Sequence, residues 1–377
     1  MKIPFNKPYI IGTEIERIQE VIELRTLQGG GKYSKICESY LTNKFHLEKA
    51  FLTPSCTDAL ELAGLLLNLS VGDEVIMPSF TFTSTANSLL LRGVSIKFVD
   101  IDPKTQNICP KEIEKAITKN TKAIVVVHYA GISCKMDEIL KIASEYHIEV
   151  IEDAAQAMNS KYKDKFLGSI GDIGAFSFHE TKNYIAGEGG AILLRDNKFL
   201  KRVQTIRDKG TNRIDFLNGD VDKYYWVDIG GSYLPSELAS AFLSVQLENS
   251  DFITKKRLEI WNRYFDGLRD ISELVLPHVP DYCTHNAHIF YILVQNDEVK
   301  EKLRIYLGQL GIQAQIHFYP LHMSPMGKKI NIGHSVLQNT EKIFKQLLRL
   351  PLYPDLEFDE VDYVVESIRG FFKKEMK

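Results

Sequence analysis

One lysine near the middle of the chain lies where its chemistry is expected to be altered. Residues 173–178 form an apolar run that ends at a polar cluster around Lys182, and a second apolar run covers residues 191–194. Both runs are predicted to be short buried strands. Because burial lowers the pKa of a lysine, its neutral amine becomes a nucleophile toward carbonyl groups. We therefore expect Lys182 to form a Schiff base, and a solvated loop lysine is the alternative.

The lysine follows a regular alternation of strands and helices, which is typical of βαβ units and a largely parallel sheet. The predicted strands are residues 74–78, 95–100, 123–128 and 148–153, and the predicted helices are residues 81–92, 111–118 and 135–147. Ligands of such sheets bind at the carboxyl ends of the strands. The polar residues predicted at these ends are His128, Tyr129, Asp153 and Gln156.

Asp153 is the most specific of these candidates for a ligand site, because it ends a strand of isoleucine and valine. A carboxylate there is costly to bury without a cationic partner. A cationic group on a ligand would supply that partner, and an ordinary helix N-cap is the alternative.

The start of an early helix is a second candidate site. Residues 51–53 are a predicted strand, and Ser55 or Thr57 can cap the helix that follows. Free N–H groups at a helix start attract phosphate, although an ordinary capped helix is the commoner case. The glycines at 29–31 are interpreted instead as a mobile loop, because no strand precedes them.

After about residue 250 the pattern changes to that of a smaller α+β domain. The predicted helices there are residues 252–268, 299–310, 341–348 and 360–371, and the predicted strands are residues 289–294 and 313–318. We therefore predict a large domain of residues 1–250, with an N-terminal arm of residues 1–11, and a small domain of residues 251–377.

Composition narrows the possible classes of function. The formal net charge is −3, which gives no electrostatic reason to expect nucleic acid or an anionic membrane as partner. The five cysteines are scattered without a CxxC pair, which argues against a zinc site and for a reducing compartment. No run approaches 18 apolar residues. A cytoplasmic protein without a metal is expected.

Five motifs in order resemble one family. They are residues 54–57 (Pro-Ser-Cys-Thr), 78–82 (Pro-Ser-Phe-Thr-Phe), 152–156 (Glu-Asp-Ala-Ala-Gln), 177–183 (Ser-Phe-His-Glu-Thr-Lys-Asn) and 187–190 (Gly-Glu-Gly-Gly). The chain resembles, over essentially its whole length, the DegT-type sugar aminotransferases that depend on pyridoxal phosphate (PLP). The resemblance implies an α/β fold of the aspartate aminotransferase type (type I), with a large, mostly parallel sheet between helices and a smaller C-terminal domain.

The resemblance also assigns roles to single residues. Lys182 would carry the cofactor, Asp153 would pair with its ring nitrogen, and Gln156 would bond its phenolic oxygen. Phe82 would stack on the ring, with simple core packing as the alternative. Cys56, Thr57 and Ser177 would hold the phosphate.

Two positions depart from the family pattern. Many relatives have glycine where this chain has Cys56, so the backbone there must avoid positive φ. Many relatives also have a Gly-x-Asn-x-Arg segment whose asparagine reaches the phosphate in the neighbouring subunit. Ser232 and Leu234 would replace that asparagine and arginine here.

The sugar-nucleotide side of the site is predicted from basic and aromatic residues. These candidates are Asn212, Arg213, His317, Tyr319 and His322. Each of them has a non-functional role as its alternative, as a packed aromatic, a surface histidine or part of a solvated loop. A homodimer with a shared active site is implied by the family.

Residues 179–183, 209–213 and 221–224 resemble one subgroup most, the transaminases that make TDP-4-amino-4,6-dideoxygalactose for surface polysaccharides. The resemblance implies amino transfer from L-glutamate to C4 of TDP-4-oxo-6-deoxyglucose. The gluco epimer and amination at C3 are alternatives. A pyridoxamine-dependent dehydratase would carry histidine in place of Lys182, and a non-catalytic sensor would have a basic DNA-binding segment.

Overall fold

The computed structural model describes residues 2–330 and 336–375. The strands up to residue 249 are β1 (Lys49–Thr53), β2 (Glu74–Pro78), β3 (Ser95–Val99), β4 (Thr121–Val127), β5 (Glu149–Asp153), β6 (Lys161–Tyr162), β7 (Lys165–Phe166), β8 (Ile173–Ser177) and β9 (Gly190–Leu194). The helices are α1 (Glu14–Glu23), α2 (Lys32–Lys44), α3 (Cys56–Leu66), α4 (Thr83–Leu90), α5 (Pro110–Ala116), α6 (Met136–Tyr146), α7 (Leu200–Arg207), α8 (Arg213–Leu217) and α9 (Glu237–Glu248).

The remaining elements follow residue 249. The helices are α10 (Ser250–Leu268), α11 (Asp297–Gln309), α12 (Pro325–Ile330), α13 (Gln338–Gln346) and α14 (Phe358–Glu375). The strands are β10 (Cys283–Thr284), β11 (Phe290–Leu293), β12 (Gln315–Ile316) and β13 (Leu347–Leu350). β10 joins β6 and β7 in a small antiparallel sheet.

A seven-stranded sheet carries the first part of the chain, in the order β1-β9-β8-β5-β4-β2-β3. The strands from β8 to β3 are parallel, and β9 runs antiparallel to both of its neighbours. In β4, Ile124 and Val126 belong to one apolar cluster, and Ala123 and Val125 belong to another. Because side chains alternate along a strand, these clusters lie on opposite faces of the sheet. Burial of both faces is what makes the strand apolar throughout. The predicted mostly parallel α/β sheet is confirmed.

The last part of the chain folds around a separate apolar cluster. The antiparallel sheet β11-β13-β12 packs with α10, α11 and α14, and Trp261 and Phe290 belong to this cluster. Ile3, near the start of the N-terminal arm, joins it: the Ile3 N–H donates to Gly311 O at 2.9 Å, and Gln313 N–H donates to Ile3 O at 3.0 Å. α10 begins at Ser250, and the predicted division into two domains there stays a prediction.

The glycines at 29–31 form the bend that leads into α2, and the predicted mobility of this loop stays a prediction. Gly31 precedes α2, and its N–H donates to the carboxylate of Glu237 at 3.0 Å. The N–H groups of Tyr33 and Ser34 donate to the same buried carboxylate. A Cβ at Gly31 would lie 2.8 Å from the Glu237 side chain, which explains the glycine. The capping group comes from α9, far away in the sequence.

Candidate active site

A cavity of about 670 Å³ opens where three central parallel strands end. Val127, Asp153 and Ser177 line it, and they are the last residues of β4, β5 and β8. The predicted residues that it brings together are Cys56, Thr57, Phe82, Asp153, Gln156, Ser177, Lys182 and His317. The fold thus places most of the candidates at the edge of the sheet where ligands of such folds bind.

Lys182 lies in this cavity on the loop between β8 and β9. The backbone N–H of Lys182 donates to the backbone carbonyl oxygen of His179 at 2.9 Å. The next residue, Asn183, anchors the loop: its Nδ2 donates to Asn286 O at 3.0 Å, and its Oδ1 lies 2.9 Å from Nδ1 of His288. Burial lowers the pKa of Lys182, and it outweighs the opposing effects of Cys56 and Asp153. The loop therefore holds an amine with more neutral, nucleophilic character than a surface lysine has.

Asp153 is 6% exposed and presents its carboxylate at the end of β5. Oδ2 accepts a hydrogen bond from Thr85 Oγ1 at 2.7 Å, and Oδ1 accepts one from the Ala155 N–H at 3.2 Å. Within the described ranges, no lysine, arginine or histidine lies within 4 Å of this carboxylate. The buried charge has neutral donors only, which leaves it suited to a cationic group in the cavity.

The neighbouring acid, Glu152, points to the other side of the strand and is fully buried. Its carboxylate lies 2.8 Å from Nε2 of His128 and accepts N–H bonds from Gly168, Ile170 and Gly171. Burial opposes both charges. The pKa of His128 is nevertheless raised to about 10 through Cys134 and Glu152, and the pKa of Glu152 is lowered through His128 and these N–H groups. This ion pair fixes the end of β5, since the backbone N–H of His128 also donates to the backbone carbonyl oxygen of Asp153.

We expect His128→Gln to lower the free energy of unfolding by about 3–5 kcal/mol near neutral pH, because Glu152 would stay buried without its cation. A histidine whose pKa rises on folding, here from 6.5 to about 10, contributes fully below pH 6.5 and loses that contribution as pH rises to about 10. Urea unfolding of both proteins between those pH values measures the effect. The difference should shrink as pH rises, and a difference that grows would contradict this account.

The start of α3 forms another wall of the cavity. Ser55 is its N-cap, and Ser55 Oγ accepts the Asp58 N–H at 3.1 Å, which confirms one of the two predicted caps. Thr57 Oγ1 donates to Ser84 Oγ at 2.8 Å. Cys56 has helical geometry without positive φ, as its replacement of glycine requires. A Cβ at Gly190 would lie 2.4 Å from Cys56 N, so β9 starts in close contact with this helix end.

Phe82 and Gln156 complete the part of the cavity next to Asp153. Gln156 Oε1 accepts the Ala130 N–H at 2.7 Å, which fixes the orientation of its amide. The Phe82 ring is 58% exposed, and its centroid lies 6.2 Å from that of Phe318. A ring that borders a cavity in this way is available for stacking.

Five predicted residues lie outside the cavity. Asn212 Oδ1 accepts the Tyr225 N–H at 2.7 Å, Arg213 pairs with Asp208 at 3.3 Å, and Ser232 forms a bridge with the Asp208 backbone. The prediction for Ser232, and for residues 209–213 across a dimer, concerns a neighbouring subunit and stays a prediction.

Tyr319 and His322 do not line this cavity in the described chain, and their assignment to the sugar-nucleotide side stays a prediction. Tyr319 packs its ring edge-on against Phe344, with 5.2 Å between centroids. His322 is buried, and its Nδ1 lies 2.7 Å from Ser79 Oγ. The contacts of His322 agree with the packed role that the sequence left as its alternative, whereas Tyr319 is 53% exposed.

The cavity also contains charged residues that the sequence prediction missed. Arg349 comes from β13, whose first two residues fall in the helix predicted over residues 341–348. Arg257, on α10, also lines the cavity. The pattern Leu-Leu-Arg-Leu at 347–350 was an available signal, because an arginine flanked by leucines points from a strand to a different environment.

The family model for DegT/DnrJ/EryC1/StrS aminotransferases matches residues 8–369. The chain belongs to this family. It is 34% identical over 381 residues to the spore coat polysaccharide biosynthesis protein SpsC of Bacillus subtilis, covering 98% of this chain and 97% of SpsC. It is also 34% identical over 373 residues to the GDP-perosamine synthase of Escherichia coli O157:H7, covering 98% of each.

Solved structures of aminotransferases superpose over almost the whole chain. The aminotransferase from Psychrobacter cryohalolentis has a TM-score of 0.93 at 26% identity, over 99% of this chain and 100% of that one. A Streptococcus pneumoniae protein assigned as a sugar aminotransferase, in its pyridoxamine phosphate (PMP) form, has a TM-score of 0.92 at 26% identity, over the full length of both. The same protein is also known in its PLP form.

This DegT/DnrJ/EryC1/StrS aminotransferase has the type I fold of PLP-dependent enzymes, and its cofactor is PLP, as predicted. The cavity suits that cofactor chemically. It offers an amine of lowered pKa at Lys182, an anion at Asp153, and N–H and hydroxyl donors at the start of α3. Among the described residues no helix is long and apolar enough to cross a membrane.

Proposed function

We propose that the protein transfers the amino group of L-glutamate to C4 of TDP-4-oxo-6-deoxy-D-glucose, which gives TDP-4-amino-4,6-dideoxy-D-galactose and 2-oxoglutarate. The observation that carries the aminotransferase reaction is the placement of Lys182 and Asp153 in one cavity within a sugar aminotransferase family. The choice of sugar is supported by the sequence of residues 179–183, 209–213 and 221–224.

Each cavity residue has a separate role in the proposed amino transfer. When bound, PLP supplies a carbonyl group that accepts the amino group and a ring that acts as an electron sink. Lys182 Nζ would hold the cofactor, take the proton from Cα of the donor, and deliver a proton to C4 of the sugar. The Asp153 carboxylate would keep a positive charge on the ring nitrogen. Cys56, Thr57 and Ser177 would hold the phosphate.

A homodimer with a shared site is part of the proposal. An apolar surface supports it, formed by Tyr224, Tyr225, Trp226 and Val227, which are 51%, 61%, 81% and 55% exposed. Large exposed apolar patches mark protein interaction sites, and this run of four exposed residues supports an interface here. It lies next to Asn212, whose Oδ1 binds the Tyr225 N–H. A second subunit would bring these residues toward a neighbouring cavity.

A GDP-linked sugar is a second candidate for the substrate. The 34% identity to a GDP-perosamine synthase, which spans 98% of both chains, favours a GDP-linked sugar as strongly as the residue stretches favour TDP. The two substrates differ in base, so they are separated by a direct comparison of rates.

Absorbance of the PLP-loaded protein tests the whole proposal. We expect a visible band that is lost when L-glutamate is added and returns when the TDP-linked keto sugar is added. NMR of the product then gives the aminated carbon and its configuration. Return of the band with only the GDP-linked sugar would move the assignment to GDP. Loss of the band without return on either sugar would refute the substrate, and no response to glutamate would refute the donor.

A further inference from the structure

The loop that carries Lys182 is anchored by the two residues that follow it. The hydroxyl of the buried Tyr184 lies 2.5 Å from Thr254 Oγ1 on α10. Asn183 is bonded to His288, which precedes β11. His288 lines the cavity and Tyr184 does not. The contact between Asn183 and His288 is therefore an anchor of the loop on the side of the cavity.

The amide orientation of Asn183 assigns the tautomer of His288. Asn183 Nδ2 donates to Asn286 O at 3.0 Å, so its Oδ1 is the acceptor that faces Nδ1 of His288 at 2.9 Å. That nitrogen must then carry the proton of the imidazole, because an amide oxygen can only accept. His288 is a hydrogen-bond donor toward the loop, and its Nε2 is the unprotonated nitrogen.

The ring of His288 is neutral at physiological pH. Burial, and after it the positive charges of Lys182, Arg257 and Arg349, lower the pKa of this histidine well below 6.5. Removal of the ring would therefore change no charge beside Lys182. Any effect of His288 on the amine must come from position and from the access of water.

The backbone around His288 is fixed from two sides, which makes the residue a rigid anchor. The side chain of Asn286 donates to Gln156 O at 2.9 Å. Arg257 Nε donates to Ala287 O at 3.0 Å, and its Nη2 donates to His288 O at 2.6 Å. Ala287 has a φ of 51°, a left-handed conformation that alanine keeps only where its surroundings impose it.

We propose that His288 is a positioning residue, which holds Lys182 in the cavity through its hydrogen bond to Asn183. The inference rests on the proposed role of Lys182 as the residue that carries PLP, and it names a residue that the sequence prediction missed. A rigid donor outside the loop limits the positions that the adjacent lysine can take. It also limits the entry of water, on which the nucleophilic character of the amine depends.

His288→Ala is expected to raise the pKa of Lys182 by about one unit, because the loop gains freedom and water reaches the amine. The measurement uses the protein without cofactor. Its lysines are methylated with isotope-labelled formaldehyde, and the NMR signal that is absent from Lys182→Arg is followed as pH changes. Appearance of the visible band on addition of PLP at neutral pH should slow about tenfold, since a shift of about one unit changes the neutral fraction by that factor.

Two substitutions separate positioning from chemistry by the ring. The amide nitrogen of asparagine lies two bonds from Cβ, as Nδ1 of histidine does, so His288→Asn keeps a donor for Asn183. The amide nitrogen of glutamine lies one bond further out, as Nε2 does. His288→Asn should therefore keep the pKa of Lys182 close to that of the wild type, and His288→Gln should shift it as His288→Ala does.

A double-mutant cycle tests the route through Asn183. Asn183→Ala breaks the same contact from the other side and should raise the pKa of Lys182 by a similar amount. His288→Ala should add little in that background, because both substitutions remove one pathway.

Tyr291→Phe is the matched control for loss of a buried hydrogen bond. Tyr291 lies on β11, close to His288 in the sequence, and its hydroxyl donates to Gln106. It is buried and does not line the cavity. This variant should lower the melting temperature without moving the pKa of Lys182.

Three results would overturn the proposal. Recovery by His288→Gln but not by His288→Asn would assign Nε2 a direct role in the cavity. Additive shifts in the double variant would show that His288 and Asn183 act separately. An equal shift in Tyr291→Phe would make His288 a merely stabilising residue. Failure of the proposed function is distinguishable: a wild type that forms no visible band with PLP would refute the role of Lys182, and the NMR titration without cofactor would still test the anchor.

Discussion

Lys182→Ala is expected to reduce kcat by at least about 10⁴-fold, to no measurable turnover. The side chain is the amine of lowered pKa on the loop between β8 and β9, and it is the group that would carry protons between the donor and the sugar. No other lysine lines the cavity in the described part of the chain. The measurement is steady-state amino transfer with glutamate and the keto sugar nucleotide.

Two further proteins separate loss of chemistry from loss of fold. Lys165→Ala removes an exposed lysine on β7 and should keep full activity. In Lys182→Ala, a small primary amine such as methylamine should restore part of the rate, because it can enter the cavity and move the proton. Turnover in Lys182→Ala that equals the wild type would end the assignment of this lysine.

The strands of the sheet were predictable because each of them is marked by its own residues. Strands buried on both faces read as continuous apolar runs, and the predicted strand at 74–78 agrees with the observed β2, Glu74–Pro78. Helix ends differ by one to four residues: the predicted 135–147 is observed as Met136–Tyr146, and the predicted 360–371 as Phe358–Glu375. The site followed from the sheet, since Asp153 and Ser177 are placed by the ends of β5 and β8.

The elements that were missed depend on partners far away in sequence. α2 begins on N–H bonds to Glu237, about two hundred residues later. Residues 347–350 have helix-forming leucines but pair with β11 and β12 on both sides, and this pairing overrides the local preference. Arg349 was missed because no strand was predicted after the helix that ended at residue 348, so nothing indicated the direction of its side chain.

Asp153→Asn is expected to lower kcat by about 10²–10³-fold with little change in thermal stability. An amide has the same shape, and its oxygen can still accept the Ala155 N–H that Oδ1 accepts now. It has no negative charge, and it therefore cannot hold a proton on the cofactor's ring nitrogen, which makes the ring a weaker electron sink. Rates of each half-reaction, together with a melting curve, measure the two effects.

The adjacent acid provides the contrast that makes this result specific. Glu152→Gln should destabilise the protein by about 3–5 kcal/mol, because His128 would lose its buried partner. Its activity per folded molecule should stay within a few-fold of the wild type, since Glu152 faces His128 and residues 168–171 rather than the cavity. Neighbouring carboxylates on one strand would thus divide into one that holds the fold and one that acts on the cofactor. If Asp153→Asn instead lost stability and kept its rate, Asp153 would be a second structural acid, and the electrostatic role assigned to it would be wrong.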